Sequence, residues 1–237
     1  MNSHQLPTRV LGGITVLNTE LITKAQDYAR KYLGDQGYKH VIRSWLIGQA
    51  IISHLPAGAQ QSIDLEAFAI SNLLHDMGWS TSKDMVSDDK IFEVDGANAA
   101  REFLNKEAPA AEWDKHRIQL VWDAIALHTS SDIAPHKETE VALTNAAIFT
   151  ELVGVQVSKS LIGGVVGITE EEFDGIAKEF PREGLRGYLR ETMCGLCKRK
   201  PETTYLNFVG DYGERYVEGY SKEGKLIVDL FEECVTE

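Results

Sequence analysis

Cysteine, proline, basic charge and long apolar runs are all scarce in this chain of 237 residues, and each scarcity excludes something. Three cysteines, Cys194, Cys197 and Cys234, are an odd number in a chain too large to need staples, so free thiols in a reducing compartment are expected. No stretch approaches the roughly 18 consecutive apolar residues that would span a bilayer. Met1 to Gly13, with His4, Pro7 and Arg9, lacks the apolar core of a secretory signal, so a soluble cytoplasmic protein is expected. Lys+Arg 24 against Asp+Glu 36 gives a net charge of −12, which disfavours the broad basic face needed to bind nucleic acid or an anionic membrane. The partner expected is a small-molecule substrate, with a homo-oligomer left open.

What is present is ordinary globular composition, 43% hydrophobic and 25% charged, in a chain long enough to bury a core. Pro7, Pro56, Pro109, Pro135, Pro181 and Pro201 fall mostly between segments of helical periodicity, where a missing N–H does least harm. Helices are expected from a cap at Asn18 or Thr19 to near Gly34, and from about Tyr38 to His54. A third starts from a cap at Asp64 and carries helix as far as His75 and Asp76 before Gly78. Further helices are expected near Asp95 to Leu104, Trp113 to Leu127 and Glu138 to Val153. Shorter amphipathic pieces follow around Phe173, Leu185 to Leu196, Tyr212 to Tyr220 and Lys225 to Phe231. Ser80 to Lys90, rich in Ser and Asp, is the best loop candidate. Val153 to Ile168, with its valines and four glycines, fits a strand or a loop-rich connection equally well. With no internal repeat, low-complexity segment or linker, the expected fold class is all-α in a single domain.

Chemistry enters with the adjacent pair His75-Asp76 at the end of an apolar helix. Neighbours on a helix point about 100° apart, so both reach one cation only if it sits beside the helix end. A third ligand must come from elsewhere, and His40 stands at the start of the preceding helix. Two antiparallel helices bring the start of one beside the end of the next. Two imidazoles and a carboxylate suit Zn²⁺ or Fe²⁺ and leave coordination positions open for water and substrate. His128, ending another helix, reads as a further ligand, as a general acid/base, or as a helix cap. Arg43, one turn beyond His40, could orient Asp76, hold an anionic group, or form a structural ion pair. Glu93 and Asp95 could line the mouth or cap a helix. Trp45, Trp122 and the C-terminal aromatics read as core that could also wall a pocket. Cys194-Gly195-Leu196-Cys197 has no partner pair and reads as two small residues on one helix face.

The segments His40-Val41-Ile42-Arg43-Ser44-Trp45, Leu74-His75-Asp76-Met77-Gly78, Phe92-Glu93-Val94-Asp95-Gly96-Ala97 and Ala126-Leu127-His128-Thr129 share an order and spacing with a known group. In them the chain resembles the HD-domain metalloenzyme superfamily, most closely its cyanamide hydratase-like branch. The resemblance extends through Glu140-Val141-Ala142-Leu143 and Phe180-Pro181 to Lys200-Pro201-Glu202-Thr203-Thr204. It implies a single HD-type helical bundle over residues 1–237, with a metal-binding core at about 19–156 and a helical extension at about 169–237. It also implies one divalent metal, Zn²⁺ or alternatively Fe²⁺, held by His40, His75 and Asp76. His128 and Arg43 would serve catalysis, and Glu93 and Glu151 would contact substrate. The superfamily usually adds a later aspartate, but Thr144-Asn145-Ala146-Ala147-Ile148-Phe149-Thr150-Glu151 contains none. Asn145, Glu151 and His128 are the candidate replacements. The implied activity is hydration of a small nitrile-like molecule, cyanamide to urea, by a hydro-lyase. Alternatives are a phosphohydrolase relying on Arg43, Lys39, Lys83 or Lys90, a di-iron oxygenase drawing on His128 and His136, and a binding protein that has lost catalysis.

Overall fold

A computed structural model of the chain describes residues 6–235, so His4 lies outside the described part. The described residues are predominantly α-helical, with one two-stranded hairpin among them. They fall into two compact units, 6–86 with Phe92–Arg182, and Ser87–Ile91 with 183–235.

The first unit begins with β1 (Thr8–Leu11) and β2 (Ile14–Leu17), an antiparallel pair in which Leu11 faces Ile14 and Thr8 faces Leu17. Gly12 and Gly13, both at positive φ, make the two-residue turn that suits strand twist. Ile14 and Val16 point inward. Then follow α1 (Glu20–Tyr32), capped by the Thr19 hydroxyl, α2 (Asp35–Ser53), the short α3 (Ala57–Gln61) and α4 (Leu65–Leu74), capped by Asp64. A 3-10 turn spans Met77–Trp79. After it come α5 (Phe92–Glu107), α6 (Lys115–Ala126), α7 (Thr139–Val153), α8 (Val155–Ile162) and α9 (Glu170–Glu179).

The end of α4 and the stretch after Val153 differ from the sequence expectation. Helix α4 stops at Leu74: Asp76 leaves helical dihedrals at φ −100°, ψ 17°, and the Trp79 N–H turns back onto its carbonyl at 2.8 Å. His75 and Asp76 therefore occupy a helix end and the turn after it, which widens their choice of direction. The stretch after Val153 is no strand: it is helix over Val155–Ile162 and turn and loop from Gly163 to Ile168. Gly154 and Gly163, both at positive φ, punctuate α8 on either side, as glycine does at helix ends.

Helix α2 is buried nearly all round and α4 is buried from Glu66 to Leu74, so these are core helices rather than surface ones with one wet face. Helix α2 packs on α7 and α4, and α4 in turn on α6. A side chain at the start of α2 or the end of α4 that points inward is thereby taken out of water.

The second unit contains α10 (Leu185–Arg199), α11 (Val209–Tyr216) and α12 (Ile227–Cys234). Buried Lys200 ties Ser87–Ile91 into it, its Nζ donating to the carbonyls of Ser87 at 3.2 Å and Lys90 at 2.8 Å. Cys194 and Cys197 are free thiols on α10, half-buried and buried. Tyr205 packs with Tyr220, and Tyr212 with Tyr216. No described helix is long and apolar enough to cross a membrane.

Candidate metal centre

His40 comes from the second turn of α2, His75 from the end of α4, Asp76 from the turn beyond it, and His128 from two residues past α6. All four are at most 3% exposed. His40 Nε2 lies 3.2 Å from His75 Nε2 and 3.3 Å from Asp76 Oδ2, while His75 Nε2 is 3.0 Å from that same oxygen. Ligand atoms about 2.0–2.2 Å from a tetrahedral ion stand roughly 3.3–3.6 Å from one another. His40, His75 and Asp76 therefore form a buried cluster that could hold a metal ion. His128 also faces this carboxylate, its Nε2 3.7 Å from Asp76 Oδ1.

The far side of each imidazole is anchored. His75 Nδ1 lies 2.8 Å from the Asn72 carbonyl and His128 Nδ1 lies 2.6 Å from the Ile125 carbonyl. Carbonyls only accept, so both Nδ1 atoms carry hydrogen and, in the neutral ring, both Nε2 atoms keep a lone pair for the centre. His128 thus caps α6 through one nitrogen and faces Asp76 with the other. His40 Nδ1 is anchored by a side chain instead, Glu151 Oε2 on α7 at 2.7 Å. Such outer partners fix tautomer and ring orientation in metal-ligating histidines.

Asp76 tests whether the donors suit a cation. Both its oxygens are buried, and among the described residues no group other than the facing imidazoles comes within hydrogen-bond reach of them. An ionised carboxylate left so is costly, and a shared cation or a proton on a facing imidazole relieves it. Burial opposes charge on Asp76, but the facing His75 and His40 outweigh it and hold the carboxyl well below its usual range. Burial likewise opposes charge on His40, yet Glu151 and Asp76 push it up to about 9. His128 goes the other way, to about 3, chiefly because burial disfavours its charged form, with the neighbouring His75 imidazole adding to the effect.

Two expected site residues face each other rather than the centre. Arg43 does not reach Asp76: its Nε donates to Glu151 Oε1 at 2.6 Å, and its Nη1 to the carbonyls of Phe180 and Pro181 at 3.3 and 3.2 Å. Both oxygens of Glu151 are engaged, one by Arg43 and one by His40. Glu93 and Asp95 are buried in the first turn of α5, where Glu93 accepts the Thr129 hydroxyl at 2.8 Å. Asn145 Nδ2 donates to the His128 carbonyl at 2.8 Å and so steadies the segment carrying that histidine. Lys39 pairs with Asp35, and Lys83 is exposed.

The aromatic neighbours were not those singled out by sequence. His40 stacks on Trp79, ring centroids 5.6 Å apart at 12°, and Phe92 meets His128 edge-on at 5.6 Å. Trp45 is core, and Trp122 Nε1 donates to Asn98. The available signal was position: Trp79 ends the turn that begins at Asp76, and Phe92 opens α5. Helix α5 can approach because two residues lack side chains. A Cβ on Gly96 would lie 2.6 Å from the His75 carbonyl oxygen, and one on Gly78 would lie 2.0 Å from that of Phe92.

Compared with known proteins, the chain matches no protein-family model and no curated protein sequence.

Proposed function

We propose that the chain is a metal-dependent hydro-lyase that adds water to a small nitrile-like substrate, with cyanamide giving urea as the leading case. The observation that carries the reading is Asp76, a buried carboxylate faced only by three imidazoles whose other nitrogens are anchored. Zn²⁺ fits the two nitrogens and one oxygen, and Fe²⁺ would accept the same donors. When bound, such an ion polarises an electrophile and lowers the pKa of water from roughly 15.7 toward 7.

The remaining work falls to the chain. His40, His75 and Asp76 hold the ion, with Asp76 balancing its charge. His128, its Nδ1 anchored on the Ile125 carbonyl and its Nε2 facing the centre, is placed to hand a proton from attacking water to the nitrile nitrogen. Trp79 and Phe92 exclude bulk water beside the centre. The motif resemblance supports the nitrile-like class, and the electrostatics favour it over a phosphate ester. Arg43 already has its charge balanced by Glu151, so it offers little to a phosphoryl group that needs neutralising.

The test is urea formation from cyanamide by metal-loaded protein, beside turnover of a generic phosphate ester, with His75→Ala as control. Urea production that the substitution abolishes is expected. Ester hydrolysis without cyanamide hydration, or full activity in the variant, overturns the reading.

A further inference from the structure

The three inward-facing imidazoles are not anchored alike. His75 and His128 are set by main-chain carbonyls, which no substitution of the accepting residue's side chain removes. His40 alone is set by a side chain, and that side chain is shared. The Glu151 carboxylate spans His40 Nδ1 at 2.7 Å and Arg43 Nε at 2.6 Å, with Arg182 Nε a further 3.4 Å from Oε1. Arg43 is in turn fixed by the carbonyls of Phe180 and Pro181, so a line of contacts runs from the end of α9 through α7 to the first ligand of α2. Glu151 is fully buried, out of contact with bulk solvent.

We propose that Glu151 is the positioning residue of the metal centre, the one side chain that decides which nitrogen of His40 faces the ion. It need touch neither ion nor substrate. A carboxylate accepts from both neighbours at once, keeping hydrogen on His40 Nδ1 and the lone pair on Nε2. A glutamine of the same shape cannot do this. The guanidinium takes its one carbonyl oxygen, the amide NH₂ is left against Nδ1, and Nδ1 must become the acceptor. Hydrogen then sits on Nε2, and the ligand atom is lost without any change in the residues that touch the ion.

This inference rests on the metal-centre reading above, and the experiment separates the two. Zinc affinity is measured by chelator competition for the whole chain and for Glu151→Gln. The His40 tautomer is read by ¹⁵N NMR on metal-free protein at about pH 10, above its titration near 9. Expected are hydrogen on Nδ1 in the original protein, hydrogen on Nε2 in the variant, and zinc affinity lower by about 10–100-fold. An original protein that binds no zinc defeats the metal centre itself. Zinc binding of equal strength in both proteins, with Nδ1 protonated in both, overturns only the role of Glu151. Should the variant fail to fold, the original protein still decides: neutral His40 carrying its hydrogen on Nε2 overturns the proposal.

Discussion

Asp76 and the imidazoles around it can be satisfied by an ion or by a proton, and the competition sets how the metal-free protein responds to pH. Its stability is expected to peak near pH 6.5. Folded His40 titrates at about 9 against an ordinary 6.5, so its contribution is complete below 6.5 and is lost as pH rises toward 9. Folded His128 is pushed down to about 3, so it costs nothing above 6.5 and destabilises as pH falls below that value. Burial works against charge on Glu151 and Asp76, but His40, His75 and Arg43 lower both carboxyls, whose contribution is lost in acid. Urea denaturation of chelator-treated protein at about pH 5, 6.5 and 8.5 checks this. Stability that keeps rising through about pH 8.5 contradicts it. At this scale His75-Asp76 and His40 were legible in the sequence, because a helix start and a helix end in an antiparallel pair meet. The anchoring role of Glu151 was not, since it lies 111 residues from His40 and depends on how α7 packs against α2.

Between elements, the close approach of α5 to the end of α4 shapes the centre. Alanine in place of an exposed helical glycine ordinarily stabilises by about 1 kcal/mol. Gly96→Ala is expected to do the reverse, because its methyl would meet the His75 main-chain oxygen, which cannot swing aside as a side chain could. A loss of about 1–3 kcal/mol is expected, together with weaker zinc binding as His75 is displaced. Urea denaturation and zinc competition measure the two effects, and a stabilised variant with unchanged affinity refutes this account of the packing. Helix starts were readable where a side chain caps them: Thr19 and Asp64 accept the N–H groups of Ile22 and Ala67. The hairpin at Thr8–Leu17 was missed although its signal is present, two glycines between short apolar stretches. Helix α8 was missed for the opposite reason. Its flanking glycines suggested a loop throughout, whereas they bracket a helix and only Gly163 to Ile168 is loop.

Across the whole molecule, the residues of the centre and its anchors all belong to the first unit, drawn from α2, α4, α6 and α7 and the turns beside them. The helical class was legible because apolar periodicity and scarce proline report on it directly. Convergence was only partly so, because it needs elements far apart in the chain to pack in register. The claim at the centre of this account is that His40, His75 and Asp76 share one ion. Elemental analysis of protein purified without added chelator tests it most directly, alongside His75→Ala and Asp76→Ala. The account predicts about one divalent ion per chain in the original protein and loss of that ion in both variants. A folded original protein that carries no metal and takes up none when supplied, or variants that retain it in full, would contradict the account.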